Sequence, residues 1–157
     1  MYKRILAPLD GSELAERALE HVKTVAQGCR APRVILLQVI PWPAHPAHTL
    51  SDELIRSESE KAEAYATEYL AKVADSLRKG SIPVKTAIVH GGPAEEILDY
   101  AKQNKVDLIV MSTHGRSGVS RWVFGSVAER VIRHSATPVL IVPSFGSTRQ
   151  PAGYVAG

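Results

Sequence analysis

Five short apolar runs recur along the chain: "RILAPL", "RVILLQVI", "VKTAIVH", "DLIVMST" and "PVLIVP". Four of them are mostly continuous in apolar character and do not alternate, the pattern of strands buried on both faces. The segments between them switch to helical spacing. Leu14, Ala18, Leu19, Val22 and Val25 form one apolar stripe, and Ala62, Ala66, Tyr69, Leu70, Val73 and Leu77 form a second. A third helix is predicted over "PAEEILDYAKQNK", with acids in its first turn and Lys102 and Lys105 in its last, each suited to the helix dipole. A fourth begins near Ser126. Gly28 and Gly80 stand where C-terminal caps are expected.

Strands alternating with helices predict a parallel sheet with right-handed crossovers and helices on both faces. The fold class is therefore α/β: an open, doubly wound, five-stranded parallel sheet. A chain of 157 residues suits one domain, placed over 1–144, and can bury roughly two thirds of the surface its unfolded form exposes. Two segments break the rhythm. The loop after the second strand carries Pro41, Pro43 and Pro46, which forbid a helix before about Thr49. The tail 145–157 is small, polar and glycine-rich and is expected to be flexible.

Composition narrows the class without naming a function. The chain is 45% hydrophobic and 22% charged, and it has no apolar run of membrane-spanning length. The N-terminus passes from two cations into a strand without a leader-like apolar region, so export is not expected. The single Cys29 cannot form an internal disulfide and reads as an inert thiol at a helix end, which suits a cytoplasmic protein. A net charge of +3, with cations mostly alternating with acids, gives little reason to expect nucleic acid as a partner.

The informative segment is "STHGRSGVSRWVFGS", residues 112 to 126, between the fourth strand and the fourth helix. A link this long inside a compact domain is usually functional or disordered. It leaves the carboxyl end of a strand, where open parallel sheets bind ligands. Its glycines allow close backbone approach, and successive N–H groups in such a loop converge on anions. Ser126 with Glu129 reads as a capping box, which would turn a positive helix end toward the same space. Arg116, Arg121, Arg130 and Arg133 have only Glu129 as an acidic neighbour between 112 and 135. The combination favours a small anion such as a phosphate. The plainer alternative, in which Ser126 only caps its helix and Gly115 and Gly118 only turn the chain, stays open on these residues alone.

Other chemistries find less support. There is no GxxxxGK[ST], no G-x-G-x-x-G after the first strand and no G-x-S-x-G elbow. His45 and His48 in the proline-rich loop read as solvated residues, and no metal site is assigned to protein ligands.

Taken together, "KRILAPLDGSELAERAL", "HGGPAEEI", "DLIVMSTHGRSG" and "GSVAERVIRHSATPVLIVP" resemble the universal stress protein family over nearly the whole chain. Its ATP-binding members carry glycine, two residues, glycine, nine residues, glycine, then serine or threonine. Gly115, the stretch Arg116 to Phe124, Gly125 and Ser126 fit this pattern, whereas its first glycine falls on Ser112. The resemblance implies strand order 3-2-1-4-5 and ATP as ligand, with Mg or Mn bound through the phosphates. It places Pro8, Leu9 and Asp10 beside the adenosine and the backbone of Val39 against the adenine. Ser112, Thr113, His114, Gly115, Arg116, Ser117, Gly118, Gly125, Ser126 and Val127 would surround the ribose and phosphates. For Asp10, capping of the first helix together with Glu13 is an alternative that can coexist with this role. The resemblance also implies a homodimer through the last strand, Val139, Leu140, Ile141 and Val142, an apolar edge that invites pairing.

His114 is the one candidate general base near the phosphates, so hydrolysis is expected to be slow at most. The function this implies is a cytoplasmic, nucleotide-linked, dimeric regulator of the stress response. A nucleotide-dependent transferase of related fold and an interaction module with an empty site are the alternatives.

Overall fold

The computed structural model describes residues 1–29, 33–42, 52–114 and 124–143. The elements follow the order β1 (Arg4–Leu9), α1 (Glu13–Glu16), α2 (Ala18–Gly28), β2 (Arg33–Ile40), α3 (Asp52–Arg78), β3 (Val84–His90), α4 (Pro93–Gln103), β4 (Leu108–Ser112), α5 (Ser126–His134) and β5 (Val139–Val142). All five strands are parallel and join one sheet in the order β3-β2-β1-β4-β5. This is the doubly wound order expected. The tail beyond 143 lies outside the described residues.

Consecutive residues of the central strands bury alternate faces, which is why their sequences read as unbroken apolar runs. Ile5, Leu6 and Ala7 are all fully buried. Ile5, Ala7, Val34, Leu36 and Val110 face a core built with Ala18 and Val22 of α2 and Leu70 and Leu77 of α3. Leu6, Ile35, Leu37, Ile109 and Met111 face the other core, with Ile97 and Ala101 of α4 and Val131 of α5. Two helical layers thus enclose the sheet. β3 is an edge strand, and its Lys85 and Thr86 are exposed.

Helix boundaries depart from the sequence reading in two ways. The first helical stripe is broken at Arg17 into α1 and α2, yet Ala18 and Val22 still face the core. The left-handed residues that follow α3 and α4 are Ser81 (φ 60°) and Lys105 (φ 50°), and neither is a glycine. Gly80 comes one residue too early for that position: its N–H donates to the Leu77 carbonyl at 3.0 Å, and Ser81 makes the turn, donating to Arg78 O at 2.8 Å. Gly28 is the last residue of α2, with Cys29 as its C-cap.

At the amino end of the sheet the Asp107 carboxylate accepts hydrogen bonds from the backbone N–H of Lys3 (3.0 and 3.1 Å) and of Arg4 (3.1 Å). That clamp ties the start of β1 to β4 and holds their opposite, carboxyl ends in register.

Candidate functional site

β2 lies on one side of β1 and β4 on the other, so chain direction around the sheet reverses between β1 and β4. Open α/β sheets form a crevice at this point. Here it is a cleft of about 940 Å³ over the carboxyl ends of β1, β2 and β4.

β1 contributes Pro8, Leu9 and Asp10 to the wall. Asp10 Oδ1 accepts from the Ser12 N–H at 2.9 Å and from the Ser12 hydroxyl at 2.6 Å. Ser12 in turn caps α1, its Oγ accepting from Ala15 N at 3.1 Å. The alternative role for Asp10, capping with Glu13, is therefore corrected: Ser12 is the N-cap, and Asp10 orients it. The carboxylate is thereby held at the cleft by the turn that starts the first helix.

β4 delivers Ser112, Thr113 and His114. Ser112 is the last residue of β4, opposite Val142 of β5, and is buried. The non-glycine residues with positive φ among those described are Ser81 and Lys105, so Ser112 keeps an ordinary strand conformation that serine adopts without strain. Thr113 uses its backbone twice, donating to Val142 O at 2.9 Å and accepting from Gly125 N at 2.8 Å. His114 is also buried, with Nδ1 3.1 Å from the Thr113 hydroxyl oxygen.

The chain returns to the cleft at Gly125, Ser126, Val127 and Ala128. A Cβ on Gly125 would lie 2.9 Å from Thr113 O and 3.5 Å from His114 Cα, so the close approach of these backbones requires glycine. The expected capping box is corrected. Gly125 is the N-cap of α5, Ser126 is already its first helical residue, and no side chain caps the helix. From that position Ser126 cannot turn back onto the amides that follow. The Glu129 carboxylate pairs instead with Arg133, at 2.9 and 3.1 Å. Among the described residues, the first-turn amides of α5 consequently have neither an intrahelical nor a side-chain acceptor, the arrangement that favours a bound anion.

Of the residues named from sequence, Pro8, Leu9, Asp10, Val39, Ser112, Thr113, His114, Gly125, Ser126 and Val127 line this one cleft. Gly115, Arg116, Ser117 and Gly118 lie outside the described residues, as do His45, His48 and Arg121. The basic neighbourhood is less one-sided than the linear charge count: Glu95 of α4 accepts from Arg130 at 2.6 Å, an ion pair invisible to a count limited to residues 112–135. Both partners are more than half exposed, so the pair contributes little to stability but trims the local positive field.

One wall was not anticipated. Glu58, Lys61, Ala62 and Tyr65 of α3 border the cleft, as do Gln38 and Ile40 of β2 and Pro41 just after it. α3 follows β2 and returns antiparallel to it. Its 27 residues span about 40 Å, whereas the 8 residues of β2 span about 26 Å. The first turns of α3 therefore overhang the strand ends. Deeper on the same helix, burial pushes the Tyr69 phenol well above its usual range, and the nearby negative charges of Glu16 and Asp10 add to this. The Glu16 carboxylate stands close enough to this buried hydroxyl to act as its acceptor.

An α/β sheet of this order, with a cleft at its switch point and an uncapped helix end in the cleft wall, defines the class to which the comparisons point. The model of the universal stress protein family matches residues 1–143, and the chain belongs to that family. It is similar to the universal stress protein MJ0531 of Methanocaldococcus jannaschii, with 35% identity over 147 residues, 90% of this chain and 82% of the relative. It is also similar to MJ0577 of the same archaeon, at 36% identity over 90% of this chain and 95% of the relative. The solved structure of MJ0577 superposes with a TM-score of 0.84, covering 94% of this chain and 99% of its own. A universal stress protein solved in complex with cAMP shares the fold at a TM-score of 0.68 and 23% identity, over 92% of this chain and 98% of the other.

Proposed function

We propose that the cleft binds an adenine nucleotide, ATP, and that the bound nucleotide sets the state of a cytoplasmic stress-response regulator. The observation that carries this reading is the meeting of Gly125 with Thr113: two backbones close enough to exclude a Cβ bring the uncapped start of α5 to the carboxyl end of β4. An anion placed there meets first-turn amides and the positive end of a helix. The apolar remainder of the wall, Pro8, Leu9, Val39, Ile40 and Ile97, suits a flat base. A volume of about 940 Å³ lies within the range of sites that hold molecules of this size. A relative of the same fold is described in complex with cAMP, which supports an adenine nucleotide as the ligand class.

In this reading the β1 end and Val39 receive the adenosine, while Ser112 to Gly118 and Gly125 to Val127 receive the ribose and phosphates. Mg or Mn is carried in by the phosphates: among the described residues no cluster of three His, Cys, Asp or Glu side chains could hold a metal. The chain's own chemistry toward the nucleotide is binding and orientation. Asp10 is held in place by Ser12, and the buried imidazole of His114 is steered by Thr113. Turnover is slow, so the nucleotide acts as a ligand whose presence biases the protein's assemblies.

The assembly proposed is a homodimer through β5. Among the described residues β5 pairs only with β4, leaving its outer edge open. Leu140 packs toward one core and Val139 and Ile141 toward the other. A dimer seam on this strand therefore depends on backbone pairing as well as on side chains. Calorimetric titration of the full chain with ATP in the presence of Mg tests the nucleotide reading: saturable binding that weakens with added salt is expected. Absence of binding at millimolar ATP would remove it.

A further inference from the structure

Three polar side chains are buried among the described residues, Gln38, Ser112 and His114, and all three line the same cleft. Gln38 is the odd member. It is 6% exposed, and its Oε1 is buried without a hydrogen-bond partner among the described residues. It interrupts an otherwise apolar strand, "RVILLQVI", between Leu36 and Ile40. Its cross-strand neighbours are Leu9 of β1 and Ile88 of β3, neither of which has a side-chain group to bond it. A buried carboxamide left unpaired costs on the order of the hydrogen bond it lacks, and leucine there would continue the core. Groups of this kind call for a partner supplied from outside the fold.

We propose that Gln38 is a base-reading residue of the cleft, its carboxamide accepting from the exocyclic amine of the bound adenine and donating to the adjoining five-membered-ring nitrogen, N7. The inference rests on the nucleotide reading above and adds the determinant of base choice. A carboxamide presents an acceptor next to a donor, which complements the amine and adjoining ring nitrogen of adenine. A 6-oxo purine presents acceptors at both places, so one of its contacts becomes repulsive. Gln38 is 6% exposed and stands between Leu9 and Ile88 in the sheet, which leaves its carboxamide little room to move away from the wrong base.

The test compares ATP with inosine triphosphate, which carries an oxo group in place of the amine and a proton on N1; N7 is an acceptor in both. Both are titrated calorimetrically into the full-length parent, Gln38→Leu and Gln38→Met, and thermal unfolding of each ligand-free protein is followed. The parent is expected to prefer ATP by about tenfold or more. Either variant should reduce that preference to within about twofold, mainly through weaker ATP binding. The ligand-free midpoint should stay level or rise, because an unpaired polar group has been removed from the interior; a merely structural glutamine would lower it. A variant that binds ATP and keeps the parent's preference overturns the role of Gln38 and leaves the nucleotide site standing, as does a parent with no preference. A parent that binds neither nucleotide overturns the site itself.

Discussion

Replacing Gly125 with alanine adds a single methyl group where two backbones of the cleft wall meet. The backbone of Gly125 has φ −60° and ψ 146°, which alanine adopts readily, so the cost is contact and not conformation. The new Cβ would stand 2.9 Å from Thr113 O, a backbone atom that also accepts the Gly125 N–H at 2.8 Å. That is roughly half an ångström inside ordinary van der Waals contact. Relief requires either the end of β4 or the start of α5 to move, and Thr113 is pinned on its other side by its bond to Val142. Overpacking of this kind costs about 1–3 kcal/mol. In a chain of this size the thermal midpoint should fall by about 2–10 °C. Viewed from sequence, a side chain at this position obstructs only a phosphate; in the structure it strikes the protein first. Thermal unfolding without nucleotide, followed by ATP titration, separates the effects, with a lower midpoint and a several-fold loss of affinity expected together. A ligand-free Gly125→Ala with an unchanged midpoint would refute the steric argument.

Ser112→Gly should leave ATP affinity within a few-fold of the parent by calorimetry, because Ser112 already holds an unstrained strand conformation. Tyr69→Phe removes a phenol whose proton is held by burial and by the nearby carboxylates of Glu16 and Asp10. The raised Tyr69 pKa keeps the folded phenol neutral, so its contribution to stability is full below the unfolded tyrosine value near 10 and is lost as pH rises above it. Denaturant titrations at pH 8 and pH 11 should show a smaller alkaline loss in Tyr69→Phe than in the parent. Asp107→Ala abolishes the acceptor for the Lys3 and Arg4 amides and should cost about 1–2 kcal/mol in chemical unfolding, while ATP affinity at the far end of the sheet changes little.

The sheet was legible because strands buried on both faces write themselves as continuous apolar runs, and Ile5 to Ala7 and Leu108 to Met111 do so. The expectation of a site at the link after β4 comes from glycines, serines and length that coincide there, and residues 115–123 of that link lie outside the described residues. Where helices begin was less legible. Capping depends on a single residue of offset, and the choice between Gly125 and Ser126 turns on the bond from Gly125 N to Thr113 O, a contact between two ends of a loop. The Arg130 to Glu95 pair joins residues on different helices and leaves no local trace. The α3 wall follows from relative element lengths, which became useful only once α3 was known to start at Asp52. Gln38 is visible in the sequence as one polar residue in an apolar strand, but its meaning depends on the partners that Leu9 and Ile88 cannot provide.

An adenine nucleotide held in the cleft at the ends of β1, β2 and β4 should survive purification and desalting. The most direct test is mass spectrometry of small molecules released when the purified protein, incubated with an equimolar mixture of the four common ribonucleoside triphosphates and then desalted, is denatured. ATP is expected at close to one molecule per chain, with the other three nucleotides at trace levels. Release of no nucleotide, or of all four in equal amounts, would contradict it.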